Sequence, residues 1–383
     1  MLRTAGRPAP TADRAAPAAP AAPADRGPAG GLRWVLLAVL AAGVAGCVIV
    51  LASGVAGGRA PGAGQRLAAG ATGLVRVLPG RDQVVSGPSL PEVNGLAYGL
   101  GSLWLTGGSG AQNHLLYAVS PVTGRIEATV VLPSPRVINP GDVATGPGAV
   151  WVAVGGSLYQ VVPGLSARTV SHPFATLPHG DLIGDVATTA GAVWVDDTAH
   201  GTVYRYAAAS GKLEARVSVG QAAGLLAAGD GGLWVADPDT RTVSRISVAR
   251  NRVDAVVTVP GPPAHLATSA DGLWVTDGTD TVTVVGTGGR IRTVHVAGQP
   301  TGLAAYGGTV WVASTAAGTL TRIDARRDAV AAAVPVGERP YAVAAGPQGV
   351  WVAVLGQPVM MHVPAGVSAR GGTLGWLLRL CGD

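Results

Sequence analysis

The 383-residue sequence predicts an all-β protein built from seven copies of one structural unit. Seven tryptophans recur at an average interval of about 41 residues, and Leu or Val flanks each of them on both sides. The residue eight positions before each tryptophan is again Leu or Val, and the residue seven positions before is always Ala. The repeating tryptophans are Trp104, Trp151, Trp194, Trp234, Trp274, Trp311 and Trp351. Such regular self-similarity is typical of repeat architectures.

Each unit has the pattern of four short strands. Residues 301–337 contain four apolar or β-branched runs separated by Gly, Asp or polar turns, which predicts a four-stranded antiparallel meander. Successive residues around each tryptophan are apolar, as expected for a strand buried on both faces. A sheet buried on both faces needs a neighbour on each side, and radial stacking provides one. The sequence therefore predicts a seven-bladed β-propeller of four-stranded antiparallel blades over residues 73–365, with the recurrent Ala on the crowded innermost strand.

The two ends of this region suggest how the ring closes. The last unit has three strand-like runs and then a polar, Gly-rich break, so its fourth strand is missing. Two short strand-like runs, Gly73–Leu78 and Gln83–Pro88, precede the first unit and have no tryptophan of their own. We expect one or both of them to complete the seventh blade.

The N-terminal residues predict a membrane anchor. Residues 1–32 are rich in Ala and Pro and predict a disordered cytoplasmic tail. Trp34–Gly58 is an uncharged run long enough to span a bilayer, and the arginines before it favour a cytoplasmic N-terminus. We therefore expect one transmembrane signal anchor at 33–58, a flexible linker at 59–72, and a propeller outside the cytoplasm of a bacterial cell. A lipoprotein lipidated at Cys47, within Val44–Cys47, and a cleaved signal peptide are the alternatives. Residues 366–383 form a C-terminal tail.

Composition excludes several functional classes. The net charge is +5, but residues 59–383 carry 22 basic and 20 acidic side chains without a basic cluster, which argues against nucleic acid as a partner. The two cysteines, Cys47 and Cys381, lie outside the predicted propeller, so the fold needs no disulfide. Nucleophile-elbow, Walker, C-x-x-C and H-E-x-x-H motifs are absent from the sequence.

Two positions in each unit are predicted to face one mouth of the ring: the residue nine before the tryptophan and the residue three after it. Their charged members in four consecutive units are Asp142, Asp185, Asp197, Asp237, His265 and Asp277, with Asp196, His200, Asp239 and Asp280 nearby. An arc of carboxylates is suited to a divalent cation such as Ca²⁺ or Mg²⁺, or to a cationic ligand. Alternatively, each Asp hydrogen-bonds the backbone of its own turn.

The repeat motif resembles a known group of propellers. An apolar-Ala pair, a Gly turn, a [LV]-W-V-A-D strand and a T-V-x-R-I strand run through Leu226–Ile246 and recur with variations in Leu303–Asp324. This pattern is similar to the YVTN-repeat and virginiamycin-B-lyase-like propellers. The lyase members imply a catalytic His and Glu assisted by a divalent metal, and His265 lies where such a His is expected. Asp237 and Asp277 stand where the lyase motif has Glu.

Because that Glu is missing, we expect a non-catalytic module that binds a protein or small-molecule ligand. A lyase-like, metal-assisted enzyme that uses His265 is the alternative. The propeller scaffold itself is compatible with either function.

Overall fold

The computed structural model describes residues 72–78, 83–90, 93–107, 114–133, 140–146, 148–164, 172–178, 181–220, 222–229, 231–354 and 359–363. The predicted tail, membrane anchor, Cys47 and C-terminal tail lie outside these ranges. Within them, no helix has the length and apolar character needed to cross a membrane.

The described residues form β-strands joined by short turns. The first two strands pair only with each other as an antiparallel ribbon: β1 (Thr72–Leu78) and β2 (Gln83–Leu90). Three four-stranded antiparallel sheets follow, made of β3 (Gly95–Gly99), β4 (Ser102–Gly107), β5 (His114–Val119) and β6 (Ile126–Leu132); β7 (Pro140–Gly146), β8 (Ala149–Val154), β9 (Ser157–Val161) and β10 (Ala175–Thr176); and β11 (Val186–Thr189), β12 (Ala192–Asp197), β13 (Thr202–Ala207) and β14 (Leu213–Ser218).

The second half of the chain repeats this arrangement. Three further four-stranded sheets contain β15 (Leu225–Gly229), β16 (Gly232–Asp237), β17 (Thr242–Ser247) and β18 (Arg252–Thr258); β19 (His265–Ser269), β20 (Gly272–Thr276), β21 (Thr281–Val285) and β22 (Ile291–His295); and β23 (Pro300–Tyr306), β24 (Thr309–Ser314), β25 (Thr319–Asp324) and β26 (Ala329–Pro335). A 3-10 turn at Thr287–Gly289 joins β21 to β22. The last sheet has three strands, β27 (Pro340–Gly346), β28 (Gly349–Val354) and β29 (Val359–Val363).

The all-β propeller of four-stranded antiparallel blades is confirmed, but the predicted number of such blades is not. The described residues form six four-stranded sheets instead of seven. The unit around Trp351 forms the three-stranded sheet, because the chain after β29 adds no further described strand to it. The ribbon of β1 and β2 lies beside β29 and is a separate sheet.

The first strands of the sheets line the centre. β3, β7, β11, β15, β19, β23 and β27 lie next to one another in this order, and β27 lies next to β3, so the inner strands form a closed circle. At the junction between the last sheet and the first, the Tyr341 hydroxyl donates a hydrogen bond to the Val93 carbonyl at 2.7 Å.

The core lies between neighbouring sheets. Each junction contains its own cluster of buried apolar side chains, and each repeating tryptophan belongs to the cluster shared with the next sheet. All seven tryptophans are buried, with 8% exposure at most. In every unit the recurrent Ala pairs with the tryptophan across the first two strands, as Ala187 does with Trp194. A small residue on the inner strand thus allows the sheets to converge.

Threonine side chains tie successive inner strands together. The hydroxyl of Thr268 on β19 donates to the Ala228 carbonyl on β15 at 2.6 Å. Thr145 and Thr188 make the equivalent bond to the blade before them. A Cβ atom at Gly229 would lie 2.5 Å from the Thr268 hydroxyl oxygen, so this close approach requires glycine.

Candidate functional site

One end of the ring, which we call the mouth, is where the inner strands begin. Asp142 lies near the start of β7, Asp185 immediately precedes β11, and His265 is the first residue of β19. The charge of Asp185 influences the titration of both Asp142 and His265, so these three side chains share one electrostatic environment. The shared offset from each tryptophan explains this grouping, because equivalent positions in successive blades meet at the same end of the ring.

Asp185 connects two neighbouring blades. Its Oδ1 accepts a hydrogen bond from the Val186 amide at 2.6 Å, and its Oδ2 accepts one from the Leu226 amide at 2.7 Å. Val186 belongs to β11 and Leu226 to β15, so a single carboxylate holds the starts of two inner strands together. The side chain is only 9% exposed, and each of its oxygens accepts one backbone amide.

Asp142 interacts with this carboxylate. The pKa of Asp142 is raised well above its ordinary range, first because the surrounding protein withholds water and then because the Asp185 charge opposes a second negative charge. A hydrogen bond between the two side chains adds to the rise, while the Val143 amide opposes it. Asp142 therefore keeps its proton to a higher pH than an ordinary aspartate does.

Asp196 lies directly behind this pair. Its side chain has no solvent exposure, and its Oδ1 accepts the Asp185 amide at 2.5 Å. Burial, reinforced by the Asp185 charge, raises the pKa of Asp196 to about 8. Its Oδ2 is buried without a well-formed hydrogen bond in the described structure. The sequence marks Asp196 only as a neighbour of Asp197; the alternation of side chains along β12 makes it the member that meets Asp185.

His265 is the exposed member of the group. Its side chain is reachable from solvent, yet enough protein surrounds it to lower the pKa of the imidazole, against the opposing influence of the Asp185 charge. A position facing into the mouth accounts for both observations.

The other three predicted site residues form turns. Asp197 accepts the amides of Ala199 and His200, both at 3.2 Å. Asp237 and Asp277 follow the same pattern after β16 and β20, each accepting the amide two residues further along the chain at 3.0 Å. These are the bonds expected of aspartates that close a strand-to-strand turn.

The six predicted ligands do not converge on one point in the described structure. Instead, one potential metal-binding group occurs in those residues: Asp181, Asp197 and His200, whose ligand atoms all lie within 4.8 Å of one another. Sequence reasoning missed Asp181 because it lies in the connection between β10 and β11, where no strand register fixes its position.

A groove away from the mouth carries positive charge. It encloses about 910 Å³ between the blade of β15–β18 and the next blade, and Arg245, Arg250 and Arg252 line it. Asp254 accepts hydrogen bonds from Arg245 and Arg250 at 2.9 to 3.2 Å, so a carboxylate already contacts two of the three guanidinium groups.

Comparison with known proteins identifies the fold. Neither a family model nor a curated protein sequence matches the chain. Among solved structures, a streptogramin B lyase has a TM-score of 0.58 at 13% identity and covers 70% of this chain and 91% of its own. A catalytically inactive histidine-to-alanine form of virginiamycin B lyase from Staphylococcus aureus, solved with quinupristin, has a TM-score of 0.58 at 15% identity, covering 70% and 93%.

Propellers with other roles match equally well. Kuenenia stuttgartiensis hydrazine synthase has a TM-score of 0.60 at 15% identity and covers 76% of this chain and 100% of its own. The WD40 propeller domain of Doa1 has a TM-score of 0.57 at 11% identity, covering 73% and 95%. At these identities the similarity establishes the β-propeller fold and leaves function to the site residues.

Proposed function

We propose that the protein is a membrane-anchored propeller outside the cytoplasm that binds a protein or small-molecule ligand at the mouth without catalysing a reaction. The observation that carries this proposal is the commitment of the mouth carboxylates to the backbone. Asp185 uses both oxygens to hold two inner strands, and Asp197, Asp237 and Asp277 each hold a turn. These bonds account for the four carboxylates as structural groups of strand ends and turns, without assigning any of them to catalysis.

The mouth nevertheless has properties that favour binding. His265 is exposed there, next to an acidic group that attracts cationic ligands. The inner strands that carry these residues are fixed by bonds between blades, so the site is preorganised.

Site-specific photocrosslinking in living cells tests binding at the mouth. The replacement His265→p-benzoylphenylalanine places the probe at the mouth, and Val256→p-benzoylphenylalanine places a matched probe on β18, where the native side chain is 61% exposed. Adducts are read from the intact mass of the purified full-length chain. We expect a discrete adduct at position 265 and none at position 256; no adduct at 265, or equal adducts at both positions, would overturn the proposal.

The proposed location has its own test. In intact cells, added protease is expected to remove the propeller while the chain remains in the membrane fraction. Full protection of the propeller in intact cells, with cleavage only after lysis, would contradict an extracytoplasmic location. Replacement of Cys47 by Ser separates a signal anchor from a lipoprotein, because only the lipoprotein loses a lipid-sized mass.

We also propose that the three-stranded sheet is the seventh blade, with β1 supplying its fourth strand, and that the chain is related to the YVTN-repeat propellers. The position of β1 beside β29 and the closed circle of seven inner strands support this count. Deleting residues 72–78 from the full chain is then expected to destabilise the last sheet selectively, as measured by hydrogen exchange of β27–β29.

A lyase-like enzyme is the second candidate. The inactivity of a histidine-to-alanine virginiamycin B lyase and the exposure of His265 at this mouth favour it. The assay is incubation with quinupristin and Mg²⁺, followed by mass spectrometry of the antibiotic. We expect quinupristin to remain intact; its conversion by the parent chain, lost in His265→Ala, would establish the enzyme and refute the non-catalytic proposal.

A further inference from the structure

Three metal-ligand side chains from separate parts of one blade meet on its rim. Asp181 lies in the connection before β11, Asp197 is the last residue of β12, and His200 lies in the turn between β12 and β13. The His200 Nδ1 atom is 3.3 Å from Asp181 Oδ2 and 3.2 Å from Asp197 Oδ1. We propose that these residues form a binding site for one divalent transition-metal ion.

Each carboxylate places a buried oxygen at this site. The Asp197 side chain is 1% exposed, and the turn amides that it accepts fix its orientation. The Asp181 Oδ2 atom is buried without a hydrogen bond, and its contact is the ionic one with His200. A carboxylate oxygen cut off from water requires a positive partner, because its desolvation is otherwise uncompensated.

The separations of the three ligand atoms leave room for one shared ion. The His200 Nδ1 atom lies 3.2 Å from both Asp197 carboxylate oxygens and 3.3 Å from Asp181 Oδ2. An ion bonded to nitrogen and oxygen at about 2.0–2.2 Å separates neighbouring ligand atoms by about 3.0–3.5 Å. The observed spacing fits the edges of such a coordination shell.

The donor set determines the class of ion. Calcium and magnesium take oxygen ligands, whereas imidazole nitrogen suits Zn²⁺, Co²⁺, Ni²⁺ and Fe²⁺, and carboxylates extend the range to Mn²⁺. Two carboxylates and one imidazole therefore favour a transition metal over the Ca²⁺ or Mg²⁺ expected from the aspartate arc. The His200 side chain is 55% exposed, which leaves one side of the site open to water as further ligand.

The next blade provides an internal comparison. Asp237 closes the equivalent turn after β16 with the same backbone hydrogen bonds, but Thr240 stands where the earlier turn has His200. The turn therefore forms without an imidazole, and the metal-ligand geometry is an addition to it. Asp239, exposed in this second turn, is a suitable control position.

Manganese binding to the full-length chain in detergent tests the proposal. Mn²⁺ alone is the probe, because the thiols of Cys47 and Cys381 prefer softer ions. Free Mn²⁺ is counted by its electron paramagnetic resonance signal, and pulsed spectra report a coordinated nitrogen. We expect one bound equivalent with a nitrogen signal, affinity at least tenfold weaker in Asp181→Asn and His200→Gln, loss of the nitrogen signal in His200→Gln, and unchanged binding in Asp239→Asn.

The opposite results are equally clear. The proposal would be overturned if the parent chain bound no Mn²⁺, or if Asp181→Asn and His200→Gln bound Mn²⁺ as tightly as the parent chain does. Displacement of Mn²⁺ by equimolar Ca²⁺ would overturn the assigned class of ion. Circular dichroism of each variant verifies that lost binding does not reflect lost fold.

Discussion

Replacing Asp196 by Asn is expected to stabilise the protein at neutral pH and to reduce the pH dependence of its stability. Asp196 is fully buried and its pKa is raised from 3.8 to about 8. Between these values the folded state retains a proton that the unfolded state has released. Raising the pH through this window therefore lowers the free energy of unfolding, and above about pH 8 the loss is complete. Asn mimics the protonated carboxyl group and has no proton to lose.

The raised pKa of Asp196 determines how much the free energy of unfolding changes with pH. Each pH unit inside the window costs about 1.4 kcal/mol per retained proton, so the step from pH 5 to pH 7 removes roughly 2–3 kcal/mol through Asp196. Asp142, whose pKa is also raised, contributes in the same direction and remains in the variant. The slope of stability against pH should therefore become shallower by about 1.4 kcal/mol per pH unit without vanishing.

Urea denaturation at pH 5, 6 and 7, followed by the fluorescence of the buried tryptophans, measures this slope. The exposed Asp239→Asn variant is the control, and its slope should equal that of the parent chain. Equal slopes for Asp196→Asn and the parent would refute the reasoning, since they would show that Asp196 ionises in the folded protein as it does in water.

Three further substitutions test the packing of the ring by urea denaturation. Thr268→Val removes the donor to the Ala228 carbonyl and should cost about 1–3 kcal/mol, whereas an unchanged midpoint would show that water replaces the hydroxyl. Gly229→Ala should lower the free energy of unfolding by about 1–3 kcal/mol, because the added Cβ overpacks against Thr268. The control Gly224→Ala, where a Cβ meets open space, should be nearly neutral. Equal losses of stability in the two variants would contradict a steric cause. Trp274→Ala should cost about 3–5 kcal/mol, because Trp274 is fully buried between blades, and a loss below 1 kcal/mol would contradict that role.

Much of the fold could be predicted because the tryptophan repeat in the sequence reflects the packing between neighbouring blades. A blade core must present an apolar side chain to each neighbour at the same height, so the tryptophan spacing reproduces the spacing of the junctions. The pairing of Ala187 with Trp194 is one example of a contact that the offset of seven residues predicts. The number of complete blades could not be read in this way, because the tryptophan motif marks only the inner two strands of each unit: the unit around Trp351 carries the same motif, yet its sheet has three described strands.

The candidate site was partly predictable for the same reason. Asp142 and Asp185 interact because they occupy the same register position in adjacent blades. Asp181 and His200 lie in loops, where sequence offset does not determine position, and their meeting with Asp197 depends on the path of a connection without repeat pattern. Asp196 differs from Asp197 by one position, yet that step reverses the direction of the side chain on β12.

The placement of β1 beside β29 gives the ring one seam. Between other neighbouring blades the chain itself passes from one to the next, but at the seam strands distant in sequence are held by contacts alone. Local thermal opening of the ring should therefore begin at this seam. A partner that binds both sides of the seam would stabilise the closed ring.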